Sequence, residues 1–388
     1  MEAGIYTGVE RGRRPAGNAD PSVATSRFWV ILASLGQPFP ALRMPSRAAV
    51  LAPCDGKETV LKFEVIDIRR FEAQDFSALL EAESRAWRTG LRWDFAASAR
   101  VISACMQEKR LPGYALVLEG KIGGYCFFFY DGEKGLIGDL FVNSAFAGVS
   151  EALGLLEHVL ETLLGTPGLR RVEAQLPHFS FDELESTFSA CHFQGYRRRF
   201  MVACLGDQSQ PAADSTAEVA AGTQKGHTHP DEFMVMPWER KHDREAAELL
   251  YNTYRHHVDA MINDQYGSVS GAIRLVENIA HHQGCGEYLP QVSRVAIHRA
   301  SQTLAGILAV TTVRPRTAHI PQVAVASPFQ GGGLGDSLMR SAFHDLAKQG
   351  YQEVSLTVTD ANAGAVRFYE RLGFETFRPF GAFVFDRP

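Results

Sequence analysis

The sequence predicts a mixed α/β protein built from two similar domains in tandem. Three observations predict it: a length of 388 residues, an order of strands and helices that occurs twice, and a polar stretch between the two occurrences. At about 150 residues per domain, the length suggests two domains and spare chain. Apolar residues make up 45% and charged residues 21%, an ordinary balance for a chain with a packed core. A net charge of −5 argues against a protein held to nucleic acid by a basic surface, so no nucleic-acid partner is expected. No apolar run approaches the roughly 18 residues that cross a bilayer. The short run at 28–35 lacks the flanks of a secretory leader, so no membrane partner is expected either. The six cysteines are scattered without a CxxC pair, which fits reduced thiols and a cytoplasmic location.

Residues 1–60 have no sustained period and read as a disordered lead, within which Met44 is an alternative start. Residues 206–232 hold Val219 as their only large aliphatic side chain. Such a stretch buries too little to offset its ordering entropy and reads as a flexible linker. The folded units are then 61–205 and 233–388. Each opens with a short strand (63–69, 233–237) and continues through a helical region (73–109, 243–280). Two alternating strands follow in each: 114–119 with 123–130, and 293–299 with 304–313. A further strand then leads into a helix (135–142 into 150–164; 320–326 into 334–349). A strand, a helix and a final strand close each unit. The matching order suggests a duplication, and the alternation suggests a mixed sheet with helices on its faces.

The second unit carries the informative turn, VAVASPFQGGGLG from Val323 to Gly335. A strand runs into Gly331, Gly332, Gly333 and Gly335, and the turn opens a helix in which Leu334, Leu338, Ala342 and Leu346 recur every four residues. Glycines there let a ligand approach the backbone. The amides and dipole of a helix start favour a phosphate or pyrophosphate. A second strand, with Val354, Leu356 and Val358 alternating, precedes a helix that Asp360 or Asn362 can cap and Gly373 can end.

These two segments, Gln330-x-x-Gly333-x-Gly335 and Asn362-x-x-Ala365-x-x-x-Tyr369-x-x-x-Gly373-Phe374, resemble the two main cofactor-binding motifs of the GCN5-related N-acetyltransferase (GNAT) superfamily. One departure is that Pro328 stands two residues before Gln330, where the family commonly has Pro three before. The resemblance implies two acyl-CoA N-acyltransferase domains, each a mixed, mostly antiparallel sheet flanked by helices. It implies acetyl-CoA as acyl donor and a primary amine as acceptor: a small molecule, an amino acid or a protein N-terminus. By position, the backbone of Val323, Ala324 and Val325 would pair with the pantetheine arm. The amides of Gln330, Gly331, Gly332, Gly333, Leu334 and Gly335 would cradle the pyrophosphate. Asn362 would hydrogen-bond the arm, and Tyr369 would protonate the departing thiolate. Two alternatives remain at this point: a non-catalytic acyl-CoA sensor, and a transferase of a longer acyl group.

In the first unit Ala147 stands at the place of Gln330 and Ser150 at that of Gly333, while Phe181 and Phe188 fall at Asn362 and Tyr369. The first copy therefore reads as a degenerate domain without the phosphate loop or the phenol. For the general base, His319 and Gln322 lie on the strand before the loop; Gln322 cannot serve, and His319 reads as a residue at an exposed strand start. His256, His257, Asp259, Asp264 and Tyr266 lie in the helical region, where they line an acceptor cleft or form a solvated face. Cys285 reads as a small residue in a tight turn. No metal is expected, since neither His227 with His229 nor His281 with His282 has further ligands at metal spacing.

Overall fold

The computed structural model describes residues 63–206, 232–281 and 285–387. The lead at 1–60 and almost all of the linker expected at 206–232 lie outside the described residues. The first copy runs β1 (Phe63–Asp67), α1 (Ser77–Gly90), α2 (Ala96–Gln107), β2 (Gly113–Leu118), β3 (Lys121–Asp131), β4 (Lys134–Val142), α3 (Val149–Leu164), β5 (Arg171–Gln175), α4 (Phe181–Ala190) and β6 (Gln194–Cys204). The second runs β7 (Phe233–Pro237), α5 (Asp243–Tyr254), α6 (Val258–Ile262), α7 (Val269–Ala280), β8 (Glu287–Tyr288), β9 (Arg294–His298), β10 (Thr303–Arg314), β11 (Thr317–Val325), α8 (Leu334–Lys348), β12 (Glu353–Thr359), α9 (Ala363–Arg371) and β13 (Glu375–Asp386).

The helical regions are interrupted where side chains compete for the backbone. In the second copy His257, Asn263 and Ser268 each accept an amide hydrogen bond, from Asp259, Gln265 and Gly271. Each of these local bonds starts a new short helix or turn, so the region from 243 to 280 is several pieces. In the first copy Leu91, Trp93 and Phe95 turn into the core between α1 and α2. The strand before the glycine turn begins at Thr317, earlier than its apolar run suggests.

Alternation along β3 feeds two cores, as a period of two requires. Tyr125, Phe127 and Phe129 pack under α1 and α2 with Phe76, Trp87 and Ile102. Cys126 and Phe128 pack under α3 with Leu155, Leu156 and Val159. The second copy repeats this layering, with α8 against one face and α5 and α7 against the other.

The two copies do not close separately. The sheet order is β1-β2-β3-β4-β5-β13-β6-β12-β11-β10-β9-β7, with β8 added beside β10. The last strand of each copy sits in the other: β13 pairs antiparallel with β5 from Ala382↔Gln175 to Asp386↔Arg171. Conversely, β6 pairs antiparallel with β12 from Glu353↔Cys204 to Thr359↔Arg198. The two exchanged strands then pair with each other at the centre. Backbone groups at the edge of each half are thus satisfied by the other half, and the halves form one continuous sheet.

Candidate functional site

In the second copy β11 and β12 are parallel neighbours only from Thr317↔Glu353 to Ile320↔Leu356. Beyond that they diverge, β12 keeping its ladder to β6 and β11 its ladder to β10. The gap leads into a cavity of about 1050 Å³. Val323, Ala324, Val325, Gln330, Gly331, Gly333, Leu334, Gly335, Asn362 and Tyr369 all line it, so two motifs distant in sequence meet on one wall.

The glycine turn has the backbone of an anion cradle. Gly331 and Gly333 adopt φ of +77° and +90°, conformations that are strained for residues with a Cβ. The Ser337 amide bonds the Gly333 carbonyl at 3.0 Å and is the first satisfied within α8. The helix amides before it, on Leu334, Gly335 and Asp336, point out of the helix start. The Gln330 amide differs from the expectation: it is already directed to the Ser327 carbonyl at 3.4 Å, and its side chain donates to the Val325 carbonyl at 2.8 Å. Gln330 therefore braces the strand end. The Val323 carbonyl accepts from the Tyr254 hydroxyl at 2.9 Å, so a pantetheine amide would share its second lone pair or displace that phenol.

Between the two capping candidates, Asn362 is the cap. Its Oδ1 accepts from the Ala365 amide at 3.1 Å, leaving its amide nitrogen for a ligand, while Asp360 pairs with Arg199 of the first copy at 2.7 Å. Tyr369 is about two turns further along α9, half-buried, with its ring against Phe368 and Phe374. Burial, with Asp259 and Tyr266 adding to it, pushes its hydroxyl above the ordinary phenol range, so it is protonated at any working pH.

The opposite wall sorts the polar residues of the helical region. His257, Asp259 and Tyr266 line the cavity; His256 and Asp264 are exposed. Burial opposes the Asp259 charge, but the nearby His257 and Arg198 side chains and a hydrogen bond from Thr359 (2.6 Å) hold the carboxyl down at about 2. The Tyr266 hydroxyl donates to Gln322 at 2.7 Å. His319 is buried, against the expectation of an exposed strand start: its Nδ1 lies 3.0 Å from the Ser355 hydroxyl and its ring stands edge-on to Trp93. Cys285 is buried, its carbonyl accepting from Thr311 at 2.6 Å.

Part of the wall comes from the first copy, through Lys134, Glu173, Gln175 and Arg198. Arg198 lies on the exchanged strand β6 and donates to Gln175 at 2.6 Å. Arg171 bonds Glu173 at 2.6 Å, and Lys134 reaches Asp264 at 2.7 Å. Burial lifts the Glu173 carboxyl above its usual range in spite of these cations. Nothing in the local sequence signals these residues; strand exchange alone carries them to the site.

The first copy lacks the cradle for two physical reasons. Its connection from Val142 to Val149 is two residues shorter than that from Val325 to Leu334. Its helix start is also filled by its own carboxylate, since Glu151 accepts from the Gly148 amide at 2.8 Å. The helix starts place Gly148, rather than Ser150, opposite Gly333. Likewise Ser180, rather than Phe181, is the counterpart of Asn362, because both cap their helices by accepting the amide three residues on; α4 is one residue longer than α9. Phe188 keeps the place of Tyr369, each packing on the Phe five residues later.

The model of the acetyltransferase (GNAT) family matches residues 227–374, the segment that builds the diverging strands, the cradle and α9. The second copy therefore matches the GNAT acetyltransferase family. The tandem GNAT architecture is matched by solved structures. A GCN5-related N-acetyltransferase from Sphaerobacter thermophilus superposes with a TM-score of 0.58 at 16% identity, covering 84% of this chain and 96% of that one. A tandem GNAT protein from the clavulanic acid biosynthesis pathway gives 0.53 at 16% identity, covering 84% and 98%. Curated relatives match over shorter stretches. An uncharacterized N-acetyltransferase of Methanocaldococcus jannaschii is 41% identical over 58 residues, 15% of this chain and 26% of that protein. A mycothiol acetyltransferase of Corynebacterium glutamicum is 40% identical over 60 residues, 16% of this chain and 20% of that protein. The match thus spans about a quarter or less of these curated relatives. Among the described residues no helix is long and apolar enough to cross a membrane.

Proposed function

We propose that the protein transfers an acetyl group from acetyl-CoA to a primary amine, in a single site of the second copy whose acceptor end is completed by the first. The observation that carries this reading is the meeting of the turn residues Gly331, Gly333, Leu334 and Gly335, the diverging strand β11 and Tyr369 around one cavity. The pyrophosphate would lie at the start of α8, where dipole and amides favour it, and the pantetheine arm along Val323, Ala324 and Val325 as an added strand. The amine attacks the thioester directly, so no enzyme nucleophile is needed and buried Cys285 stays outside the chemistry. Tyr369 then supplies a proton to the leaving thiolate.

The Asp259 carboxylate, ionised at every working pH, favours a cationic acceptor near it. Gln322 lines the cavity and accepts from Tyr266 but cannot serve as a base, so the amine loses its proton to water or to a neighbouring group such as His257. To test the reading, the full chain is incubated with acetyl-CoA and pools of primary amines. Released thiol and acetylated products are followed together by mass. Turnover with at least one amine class is expected. Tight acyl-CoA binding with no turnover against small amines, amino acids and peptide N-termini would replace the transferase with a sensor.

A further inference from the structure

The first copy contains a buried polar cluster that the transferase reading does not use. Glu83 on α1 and Asp139 on β4 are essentially inaccessible, and His178 follows β5. One ligand-capable atom from each lies within 4.8 Å of the others. The carboxylates are held in place by neighbours. Trp87 donates its indole N–H to Glu83 at 3.1 Å, Tyr125 donates its hydroxyl to the same carboxylate, and the Leu140 amide donates to Asp139 Oδ1 at 2.8 Å. Among the described residues, Asp139 Oδ2 and His178 Nε2 are buried without a conventional hydrogen-bond partner, the Asp139 carboxyl interacting chiefly with that of Glu83.

The place of the cluster in the fold adds a second argument. Gly124↔Val142 in the first copy and Gly306↔Val325 in the second are the same pair at the end of the strand before the helix. Counting three residues back from each Val puts Asp139 at the position of Gln322, which lines the cavity of the second copy. The cluster therefore sits at the first copy's counterpart of that cavity-lining position, in a copy whose turn before the helix is two residues shorter. Two interacting carboxyl groups beside an imidazole nitrogen are costly to bury unless a cation or a shared proton compensates them.

From these atoms we infer that Glu83, Asp139 and His178 form a binding site for a divalent transition-metal ion of the zinc type. One nitrogen and two carboxylate oxygens suit such an ion, and the Trp87, Tyr125 and Leu140 donors are the outer contacts that orient ligating carboxylates. Ligand atoms around one zinc ion stand about 3.3 Å apart, so side-chain adjustment within the cluster closes the site. Trp87 and Pro177, the residue before His178, line the large cavity, which gives the ion a way in. A metal there locks α1, β4 and the segment after β5 together, a structural role in the copy that binds no coenzyme.

The test uses the full chain, stripped with chelator and returned to metal-free buffer. Uptake of Zn²⁺ is measured by elemental analysis, Co²⁺ by its visible ligand-field band, and melting temperature with and without each ion. The expected result is about one ion per chain, a Co²⁺ band and a higher melting temperature with metal. Asp139→Asn and His178→Gln should each abolish the band, and Trp87→Phe should weaken uptake by about 10–100-fold, the usual effect of removing an outer contact. His178 lies at the cluster's partly exposed edge, so His178→Gln remains informative if Asp139→Asn fails to fold. No uptake and no melting shift in excess Zn²⁺ would overturn the proposal and leave Glu83 and Asp139 as a proton-sharing pair. Equal uptake by the wild type and a folded His178→Gln variant would overturn it as well.

Discussion

Replacing Tyr369 by Phe removes one oxygen from the proposed site and little else. The ring contacts to Phe368 and Phe374, at centroid distances of 5.3 and 5.8 Å, are available to Phe as well, so the fold and the α9 cap at Asn362 should survive. General-acid catalysis is typically worth about 10²–10⁴-fold. The environment of Tyr369 places the expected loss at the low end. Burial, Asp259 and Tyr266 raise its hydroxyl above the ordinary phenol value of 10.0, while a thiol titrates near 8.5. Proton transfer from such a phenol to a thiolate is uphill, and the thiolate is already a fair leaving group. A fall in kcat of about 10²-fold follows, or about 2.7 kcal/mol at 1.36 kcal/mol per decade, with coenzyme A affinity almost unchanged. The raised value also means that titration of Tyr369 contributes no alkaline limb to the pH–rate profile between pH 5 and 9. Steady-state kinetics across that range, paired with calorimetric titration of coenzyme A, measure both quantities. Full activity in the folded variant would remove Tyr369 from the chemistry, and equal losses of affinity and rate would make it a residue that positions the cofactor.

Three further outcomes are expected. Gly333→Glu places a side chain at φ +90° and a negative charge at the start of α8. Coenzyme A binding should drop below detection, at about 1–3 kcal/mol per lost hydrogen bond, while circular dichroism stays native; unchanged affinity would refute the phosphate assignment. Asp259, held at about 2 against an ordinary 3.8, adds stability that is fully present above the ordinary value and is lost as pH falls through its folded value. Asp259→Asn should therefore cost about 2 kcal/mol at pH 7 and progressively less between about pH 4 and pH 2, as read by urea unfolding; a pH-independent loss would contradict the ion-pair account. Residues 61–205 and 233–388 expressed apart should each fail to give a cooperative melt, because β5 and β12 then lose their exchanged neighbours. Co-expression should restore one folded complex with one coenzyme A site, and independent folding of both halves would argue against the exchange.

The sequence by itself determined the duplicated order of elements, the glycine turn opening a helix, and the second motif from Asn362 to Phe374. These are local facts. Strand alternation has a period of two, a helix start needs particular backbone and caps, and both are written within a few neighbouring residues. It also showed that the first copy had lost the loop and the phenol, although the shorter loop moved the counterpart of Gly333 from Ser150 to Gly148. The tertiary structure decided which strands are neighbours. Both β6 and β13 carry alternating patterns that would suit their own copy, and nothing in a strand's pattern names its hydrogen-bonding partner. Their exchange brings Arg198 near Asp259 and puts Lys134 and Glu173 on the wall of a cavity that the second copy's sequence could not have drawn alone. The same is true of Glu83, Asp139 and His178, far apart in the chain and unremarkable in their local patterns. Only the packing of a helix against a sheet sets them side by side in the absence of water, where buried charge must find a partner.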